Sequence, residues 1–239
     1  MERVAVVTGA DRGLGLTLSV GLLEGGWRVF AGQYLPEWPE LGRLAAVYPQ
    51  RLTLVGMDVI STDSAREAAR RVGVEAGHVE LLVNNAGVIS PTSSRSIRES
   101  QDYADMHRLY DVNSLGPLRV VEAFLPLLDR GRLKRLCFVS SEAGSITTCR
   151  RKSWFGYCMS KTALNMAVRI LFNDLHPSGY TFRLYHPGWM RTYMSGARNP
   201  QADLEPQEAA VPALAYFLSE RDDEDTLVMR DLKGREWPW

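Results

Sequence analysis

The chain has 239 residues, of which 45% are hydrophobic and 23% are charged, the balance of an ordinary globular protein. Its 28 basic residues equal its 28 acidic residues, which argues against a nucleic-acid partner, since such proteins carry a basic surface. No uncharged apolar run in the sequence approaches the ~20 residues that span a bilayer, so no membrane partner is expected either.

Apolar, strand-like runs alternate with helical patterns along the chain. Strands are predicted at 3–9, 27–32, 52–58, 79–87, 134–141, 181–188 and 225–232. Helices are predicted at 13–25, 62–76, 101–129, 155–175 and 206–219, with 36–48 a weaker case because Pro36 and Pro39 interrupt it. The alternation is typical of βαβ units around a parallel sheet buried on both faces. With no linker or repeat to divide it, residues 1–239 are predicted to form one doubly wound, Rossmann-type α/β domain with about seven strands flanked by helices.

The first strand is followed by "TGADRGLG" (8–15), which contains Gly9, Gly13 and Gly15. Ligands of doubly wound folds bind at the carboxyl ends of the strands. A glycine-rich turn leading into a helix lets the backbone approach a pyrophosphate, and the helix N-terminus favours its charge. A tight turn alone would also need glycine, but this position between strand and helix favours a dinucleotide loop.

The end of the second strand should meet the adenosine ribose of such a ligand. An acidic residue there would bind the 2′-hydroxyl of NAD, but the sequence places Gln33 and Tyr34 at this point, and Glu37 lies further on between two prolines. With no carboxylate to repel it, a 2′-phosphate can be accepted, and Arg12 in the glycine loop can pair with it. This favours NADP(H) over NAD(H).

The later strands also end in polar or glycine-containing motifs. Asp58 follows the third strand, where it can reach the adenine amino group, although this region could equally supply the cap of the helix beginning near Ser61. "NNAG" (84–87) follows the fourth strand, either to hold neighbouring loops beside the cofactor or as a structural turn. "SSEAGS" (140–145) follows the fifth, "HPGWMRT" (186–192) the sixth, and Tyr157 and Lys161, four residues apart, share one helix face.

In this order the motifs resemble the short-chain dehydrogenase/reductase family, and most closely its compact carbonyl-reducing members. The resemblance covers nearly the whole chain and also includes Asn113 within "DVNSLGP" and the segment "YCMSK" (157–161). It implies a catalytic tetrad of Asn113, Ser141, Tyr157 and Lys161, with Ser141 chosen over Ser140. Ser141 lies sixteen positions before Tyr157, about three more than in many members, and the extra length falls in "TTCRRKSW" (147–154), next to the expected substrate.

The resemblance also implies a set of cofactor contacts and a substrate pocket. The contacts are Gly9, Asp11, Arg12, Gly13, Leu14, Gly15, Gln33, Asp58, Val59, Asn85, Ala86, Gly87, Tyr157, Lys161, Pro187, Gly188, Met190 and Thr192, the last against the nicotinamide carboxamide. The pocket is expected to be lined by Trp154, Trp189, Tyr193 and Met194. The implied activity is the NADP(H)-dependent reduction of a carbonyl group to an alcohol, or the reverse, on a small-molecule substrate.

The roles of the tetrad follow from the pKa of tyrosine. An ordinary tyrosine has a pKa near 10, which is too high for efficient proton transfer at neutral pH. A lysine ammonium one helical turn away favours the phenolate and lowers that pKa. Tyr157 is then the general acid in reduction and the base in oxidation, and Lys161 can also bind the nicotinamide ribose. Ser141 orients the substrate oxygen, and Asn113 completes a proton relay through water.

Three alternatives stay open: a non-catalytic dinucleotide-binding regulatory protein, an NAD-preferring alcohol dehydrogenase, and a lyase or isomerase that retains its cofactor. No metal site is expected, because the four histidines are scattered. Three cysteines without framework spacing and the lack of a signal peptide predict a cytoplasmic protein. The resemblance is compatible with a homodimer or homotetramer that pairs through the helix from Tyr157, and equally with a monomer; the sequence does not decide between them.

The sequence also contains a short basic cluster and a tryptophan-rich segment near its C-terminal end. The basic cluster of Arg150, Arg151 and Lys152 is interpreted as a solvated loop. The segment "GREWPW" (234–239) is expected to pack against the protein.

Overall fold

The apolar runs form the strands of one sheet in the computed structural model, which describes residues 2–239. The strands are β1 (Val4–Val7), β2 (Arg28–Gln33), β3 (Leu52–Gly56), β4 (Leu81–Asn84), β5 (Arg135–Val139), β6 (Thr181–His186), β7 (Met229–Asp231) and β8 (Glu236–Trp237). Their order across the sheet is β3-β2-β1-β4-β5-β6-β7-β8. Seven strands are parallel, and β8 runs antiparallel to β7. The order reverses between β1 and β4, which is where doubly wound folds bind their ligands.

Seven α-helices connect the strands: α1 (Gly13–Glu24), α2 (Pro39–Val47), α3 (Thr62–Glu75), α4 (Tyr103–Tyr110), α5 (Gly116–Leu128), α6 (Phe155–Leu175) and α7 (Pro206–Leu218). The predicted helix 101–129 is interrupted, because a π-helical turn at Asp111–Leu115 separates α4 from α5. The weakly predicted helix at 36–48 does form, since Pro39 occupies its first turn, where a missing N–H costs nothing. The eighth strand comes from "GREWPW", which does pack against the sheet, at its edge.

The hydrophobic core lies on both faces of the sheet. Every residue of β1, β4 and β5 is buried, as expected for parallel strands covered on both sides. One face packs on α3, α5 and α6, with Phe124 and Phe138 fully buried there. The other face packs on α1, α2 and α7, with Leu18 and Phe217 fully buried.

Two buried arginines near the start of β5 and β6 share one carboxylate. Arg183 is fully buried and donates to Glu224 at 2.5 and 2.6 Å, and Arg135 lies 3.4 Å from the same carboxylate. Both guanidinium groups also donate to the carbonyl oxygen of Ser219. The cluster therefore fastens the end of α7 and the segment after it to the sheet.

None of the helices within residues 2–239 combines the length and the apolar character needed to cross a membrane.

Candidate functional site

The loop between β1 and α1 is a cradle that only glycine can form. Gly9 has φ +61°, and a Cβ there would lie 2.9 Å from Ala86 Cα. A Cβ on Gly15 would lie 2.2 Å from the carbonyl oxygen of Gly9. Gly13 also has positive φ, and a Cβ there would meet Thr192 at 3.3 Å. A bare backbone at the start of a helix fits a pyrophosphate group, so the residues present suit the predicted dinucleotide.

The "NNAG" segment after β4 is tied to this loop. Asn85 Nδ2 donates to the carbonyl oxygens of Thr8 (3.0 Å) and Gly9 (3.1 Å). The main-chain N–H groups of Asn85 and Ala86 both donate to Thr8 Oγ1 at 3.0 Å. The amide side chain of Asn85 thus holds two neighbouring loops together, as one of the two sequence interpretations expected.

Arg12 is stacked between two aromatic rings. Its Cζ lies 4.4 Å from the ring centroid of Trp38 and 5.5 Å from that of Tyr193, and its Nη2 donates to the carbonyl oxygen of Tyr193 at 3.3 Å. Trp38 and Tyr193 also touch edge to face, with centroids 5.0 Å apart. Tyr193, which the sequence placed in the substrate pocket, therefore lies at the glycine-loop side of the cleft, because Arg12 attracts its ring and its carbonyl.

Asp11 corrects the expectation that no carboxylate lies at the end of β2. Both of its carboxylate oxygens accept hydrogen bonds from Tyr34 N (3.1 Å), and one also accepts from Leu35 N (3.0 Å). The residue is 4% exposed. The carboxylate comes from the glycine loop rather than from the strand end itself, so a search at the usual spacing misses it.

The other predicted adenosine contacts lie around the same end of the cleft. Gln33 ends β2 and is half-buried. Asp58 Oδ1 accepts a hydrogen bond from Ile60 N at 3.1 Å. The residue that caps the N-terminus of α3 is Ser61, so Asp58 is not used as the helix cap. Leu14 and Val59 are buried in the two apolar cores.

Tyr157 and Lys161 lie one turn apart on α6, as the spacing predicted. Lys161 Nζ is 5.9 Å from the ring centroid of Tyr157. Burial raises the pKa of Tyr157 to about 12, and a side-chain hydrogen bond with Ser141 opposes this rise. The pKa of the phenol is therefore raised, and not lowered as expected from the nearby lysine, because the effect of burial outweighs that of the neighbouring groups. Ser140 is instead buried and donates its hydroxyl to Asn165 at 2.6 Å. Ser141 is therefore the serine beside the phenol.

Lys161 is 3% exposed, and its ammonium group donates to the carbonyl oxygen of Val139 at 3.1 Å. Burial lowers the pKa of Lys161 to about 8. The group therefore titrates close to neutral pH, which suits a residue that exchanges protons.

Asn113 lies in the π-helical turn and is fully buried. Its Oδ1 accepts from Val88 N at 2.8 Å, and its Nδ2 donates to Val88 O (2.9 Å) and to Ser160 Oγ (3.0 Å). Both donors are thereby used and one acceptor site remains on Oδ1. A Cβ on Gly87 would lie 3.3 Å from that oxygen and 3.6 Å from Lys161 Nζ, so Asn113 and Lys161 border the same space at Gly87.

The segment after β6 lies over the cleft. Met194 Cε would be 3.7 Å from a Cβ on Gly87, and Thr192 lies against Gly13. Met190 forms a bridge with Leu204, and Pro187 is buried. Thr192 therefore lies against the glycine loop, and Met194 lies beside Gly87, close to Asn113 and Lys161.

Trp189 is half exposed and lines a separate cavity of about 270 Å³, together with Gly188 and His186. Residues of the segment 203–204 and of the β7–β8 turn complete its wall. Burial lowers the pKa of His186, so its ring is neutral at pH 7. Of the four predicted pocket residues, Trp154 and Met194 lie near the tetrad, whereas Trp189 lines this separate cavity.

Sequence reasoning missed the ion pair between Glu142 and Arg151. Glu142 directly follows Ser141, and its carboxylate accepts from both terminal nitrogens of Arg151, at 2.5 and 2.8 Å. The sequence contains both partners of this ion pair, because "SSEAGS" includes an acidic residue and the extra length before Tyr157 includes a basic cluster. Arg151 is exposed, as expected for a solvated loop, but its guanidinium is paired with a carboxylate beside Ser141.

Within residues 2–239, no three His, Cys, Asp or Glu side chains come together in an arrangement that could hold a metal ion.

Comparisons with known proteins agree with this architecture. A family model described as short chain dehydrogenase matches residues 3–203. A protein named C-signal from Myxococcus xanthus is 40% identical over 163 residues, which are 68% of this chain and 94% of that protein.

Solved structures give the same result. An NADPH-bound carbonyl reductase from chicken fatty liver is 29% identical, with a TM-score of 0.89 over 100% of this chain and 99% of that one. A protein from Burkholderia multivorans solved with bound NADP is 28% identical, with a TM-score of 0.85 over 100% of both chains. Because the family model covers well over half of its residues, the chain belongs to the short-chain dehydrogenase family of oxidoreductases.

Proposed function

We propose that this protein reduces a carbonyl group to an alcohol, or catalyses the reverse reaction, by hydride transfer with NADP(H). The observation that carries the proposal is the position of Tyr157. Its phenol lies beside Ser141 and 5.9 Å from Lys161, and Lys161 in turn borders the glycine cradle at Gly87. A protein that only binds a nucleotide would need the glycine cradle, but it would not need Ser141, Tyr157 and Lys161 grouped beside it.

The chain's own residues supply the proton and orient the substrate. When bound, the reduced nicotinamide supplies the hydride that adds to the carbonyl carbon. The Ser141 hydroxyl orients the carbonyl oxygen and stabilises the negative charge that develops on it. Tyr157 gives its phenolic proton to that oxygen, which completes the alcohol and leaves a phenolate. In the reverse direction the phenolate takes the proton from the alcohol.

Lys161 and Asn113 restore the proton of Tyr157. The ammonium of Lys161 favours the phenolate, and its pKa of about 8 lets it give up and regain a proton near neutral pH. The remaining acceptor site of Asn113 Oδ1 is available for a water between this oxygen and Lys161 Nζ. The remaining donors of Lys161 are available for the hydroxyls of the nicotinamide ribose.

The preference for NADP(H) rests on Arg12. Its guanidinium lies on the glycine-loop side of the cleft, stacked on Trp38, where it can pair with a 2′-phosphate. Two of the solved structures that resemble this chain contain NADPH or NADP.

An NAD-preferring alcohol dehydrogenase is the second candidate, and Asp11 favours it. A carboxylate at the end of β2 repels a 2′-phosphate and can bind the 2′-hydroxyl of NAD. The main-chain donors of Tyr34 and Leu35 already surround this carboxylate, which offsets part of its charge. We therefore rank NADP(H) first.

Two further observations concern the cellular location and the assembly of the protein. All three cysteines are free, which supports a reducing, cytoplasmic compartment. Met159, Met166 and Ile170 are exposed on α6, which supports pairing with a second copy into a homodimer or homotetramer, and a mass measurement in solution would distinguish these from a monomer.

The test is a panel of aldehydes, ketones and alcohols followed through the nicotinamide absorbance at 340 nm, with NADPH and NADH in parallel. We expect stoichiometric NADPH consumption with at least one carbonyl compound. Substrate conversion without net cofactor consumption would point instead to a lyase or isomerase, and tight NADPH binding with no turnover to a regulatory protein.

A further inference from the structure

The segment "TTCRRKSW" (147–154) connects the end of β5 to α6 and contains three consecutive basic residues. Arg150 donates only to the neighbouring carbonyl oxygen of Cys149. Arg151 instead turns back toward the site and forms a two-point ion pair with Glu142, the residue after Ser141. Such paired geometry fixes a guanidinium more firmly than a single contact does.

Arg151 also covers Trp154, with its Cζ 5.5 Å from the indole centroid. Trp154 in turn meets the ring of Tyr157 edge to face, with centroids 5.9 Å apart and planes at 80°. A chain of contacts therefore runs from the residue beside Ser141, through Arg151 and Trp154, to the phenol.

The backbone of Trp154 is strained. Its φ of +69° lies in the left-handed region, which bulky residues rarely adopt. The contacts on its ring and the hydrogen bond from its N–H to the carbonyl oxygen of Ser93 (2.7 Å) hold it there. Such strain persists only where the surroundings enforce it.

Several charged groups face Tyr157 from the elements around it. Glu142 and the Cys158 thiol raise the pKa of Tyr157 after the larger effect of burial, and Arg151 lowers it. Lys161 lies 5.9 Å from its ring.

Two neighbouring elements also carry titratable side chains. α4 packs on the start of α6 through Met106 and Leu109, and its Asp105 and Arg108 are paired with each other at 2.8 Å. His186 on β6 is neutral at pH 7 because burial lowers its pKa. Glu142 is therefore the carboxylate that opposes a phenolate at Tyr157, and Arg151 is its partner.

We propose that Arg151 is a positioning residue for proton transfer at Tyr157: it offsets the charge of Glu142 and holds Trp154 against the phenol. The proposal rests on the carbonyl reduction proposed above and assigns a role to the extra length before α6. Arg151 does not touch the reacting atoms, so it acts through Glu142 and Trp154.

The test compares Arg151→Met, Glu142→Gln, the double variant and Arg151→Lys, with Arg150→Met as the matched control. The first readout is the fraction of phenolate at Tyr157 at a fixed alkaline pH, from NMR of protein labelled with ¹³C at tyrosine Cζ, the signal being assigned with Tyr157→Phe. The second is the pH at which alcohol oxidation reaches half of its maximal rate. The NMR readout needs no turnover, so it separates failure of this proposal from failure of the proposed function.

We expect Arg151→Met to lower the phenolate-to-phenol ratio about tenfold and Glu142→Gln to raise it by a similar factor, since a nearby unit charge shifts a pKa on the order of one unit. The oxidation midpoint should move up in the first variant and down in the second. The double variant, Arg151→Lys and Arg150→Met should lie near the wild type.

Equal shifts in Arg151→Met and Arg150→Met, or no shift in Glu142→Gln, would overturn the proposal. If Arg151→Met does not fold, Glu142→Gln and the double variant still decide the question, because the proposal requires them to differ.

Discussion

The ammonium group of Lys161 donates a 3.1 Å hydrogen bond to the main-chain oxygen of Val139, the last residue of β5. This bond fixes the proposed proton-relay lysine to the strand that also leads to Ser141. It does so in a buried position, where the charged form of lysine is disfavoured and its pKa falls to about 8. The site therefore keeps a cation where the fold alone would prefer an apolar side chain.

Lys161→Met should stabilise the protein without ligand while removing its activity. Because the folded pKa of about 8 lies below that of a free lysine, the unfolded chain binds more protons between these values. Stability then rises as the pH increases from about 8 to about 10. Removing the charge should relieve the penalty below pH 8, by about 2 kcal/mol after loss of the Val139 hydrogen bond.

Urea unfolding of wild type and Lys161→Met at pH 7 and pH 10 checks this, with Lys233→Met, an exposed lysine, as the control. If Lys161→Met were less stable than the wild type at pH 7, the contacts of the Lys161 ammonium would have to compensate fully for the cost of burying its charge.

Tyr157→Phe should bind NADPH almost as tightly as the wild type and lose most carbonyl reduction. Without the phenolic hydroxyl the oxyanion has no proton donor, and general acid catalysis typically contributes about 10²- to 10⁴-fold. NADPH fluorescence titration and kcat on the best substrate of the panel measure the two effects. Retention of most of the activity would mean that another group donates the proton.

Arg12→Met should raise the KM for NADPH by roughly ten- to a hundredfold, because a charge-assisted hydrogen bond to phosphate is worth about 1.5–3 kcal/mol. The KM for NADH should change little. Arg43→Met, an exposed position on nearby α2, is the matched control. A parallel rise for both cofactors would indicate that Arg12 acts only by holding Trp38 and Tyr193.

Glu224→Gln should destabilise the protein by about 2 kcal/mol, since it leaves Arg135 and Arg183 buried without their carboxylate, and Glu224 itself is only partly buried. Activity per folded molecule should be unchanged, because the cluster lies away from the carboxyl ends of the strands. Glu220→Gln, exposed nearby, should have little effect in the same urea titration.

The cluster of Arg135, Arg183 and Glu224 also predicts how the stability of the protein changes at acid pH. Burial raises the pKa of Glu224, but the hydrogen bond and charge of Arg183 and the charge of Arg135 outweigh this and lower it. Because the folded pKa is below the unfolded one, the stabilisation is complete above about pH 4.5 and is lost as the pH falls through the folded value. The difference in stability between wild type and Glu224→Gln should therefore shrink below pH 4.5, and a constant difference would contradict this account.

The sequence predicted the sheet and the motifs at its edge because these depend on local pattern. Buried parallel strands such as β5 consist of continuous apolar runs, and glycines such as Gly15 occupy positions where a side chain has no room. Helical spacing predicted that Tyr157 and Lys161 share one helix face, whereas their place in the tetrad came from the family resemblance. The helix 101–129 was predicted as continuous because a single π-helical turn occurs inside helical segments and has no sequence pattern that sets it apart from an α-helix.

What the sequence could not predict depends on contacts between distant loops. Asp11 supplies a carboxylate to the end of β2 from the loop before α1, and Tyr193 follows Arg12 to the glycine-loop side of the cleft. β8 has only two residues, too few to show an alternating pattern. Arg151 looks like part of a solvated cluster until the fold brings Glu142 beside it.

The segment 192–194 lies against the glycine loop and beside the tetrad, with Thr192 on Gly13 and Met194 beside Gly87. Gly188 and Gly196, both with positive φ, flank it. Entry of a nucleotide and access to the phenol therefore depend on the same short piece of chain.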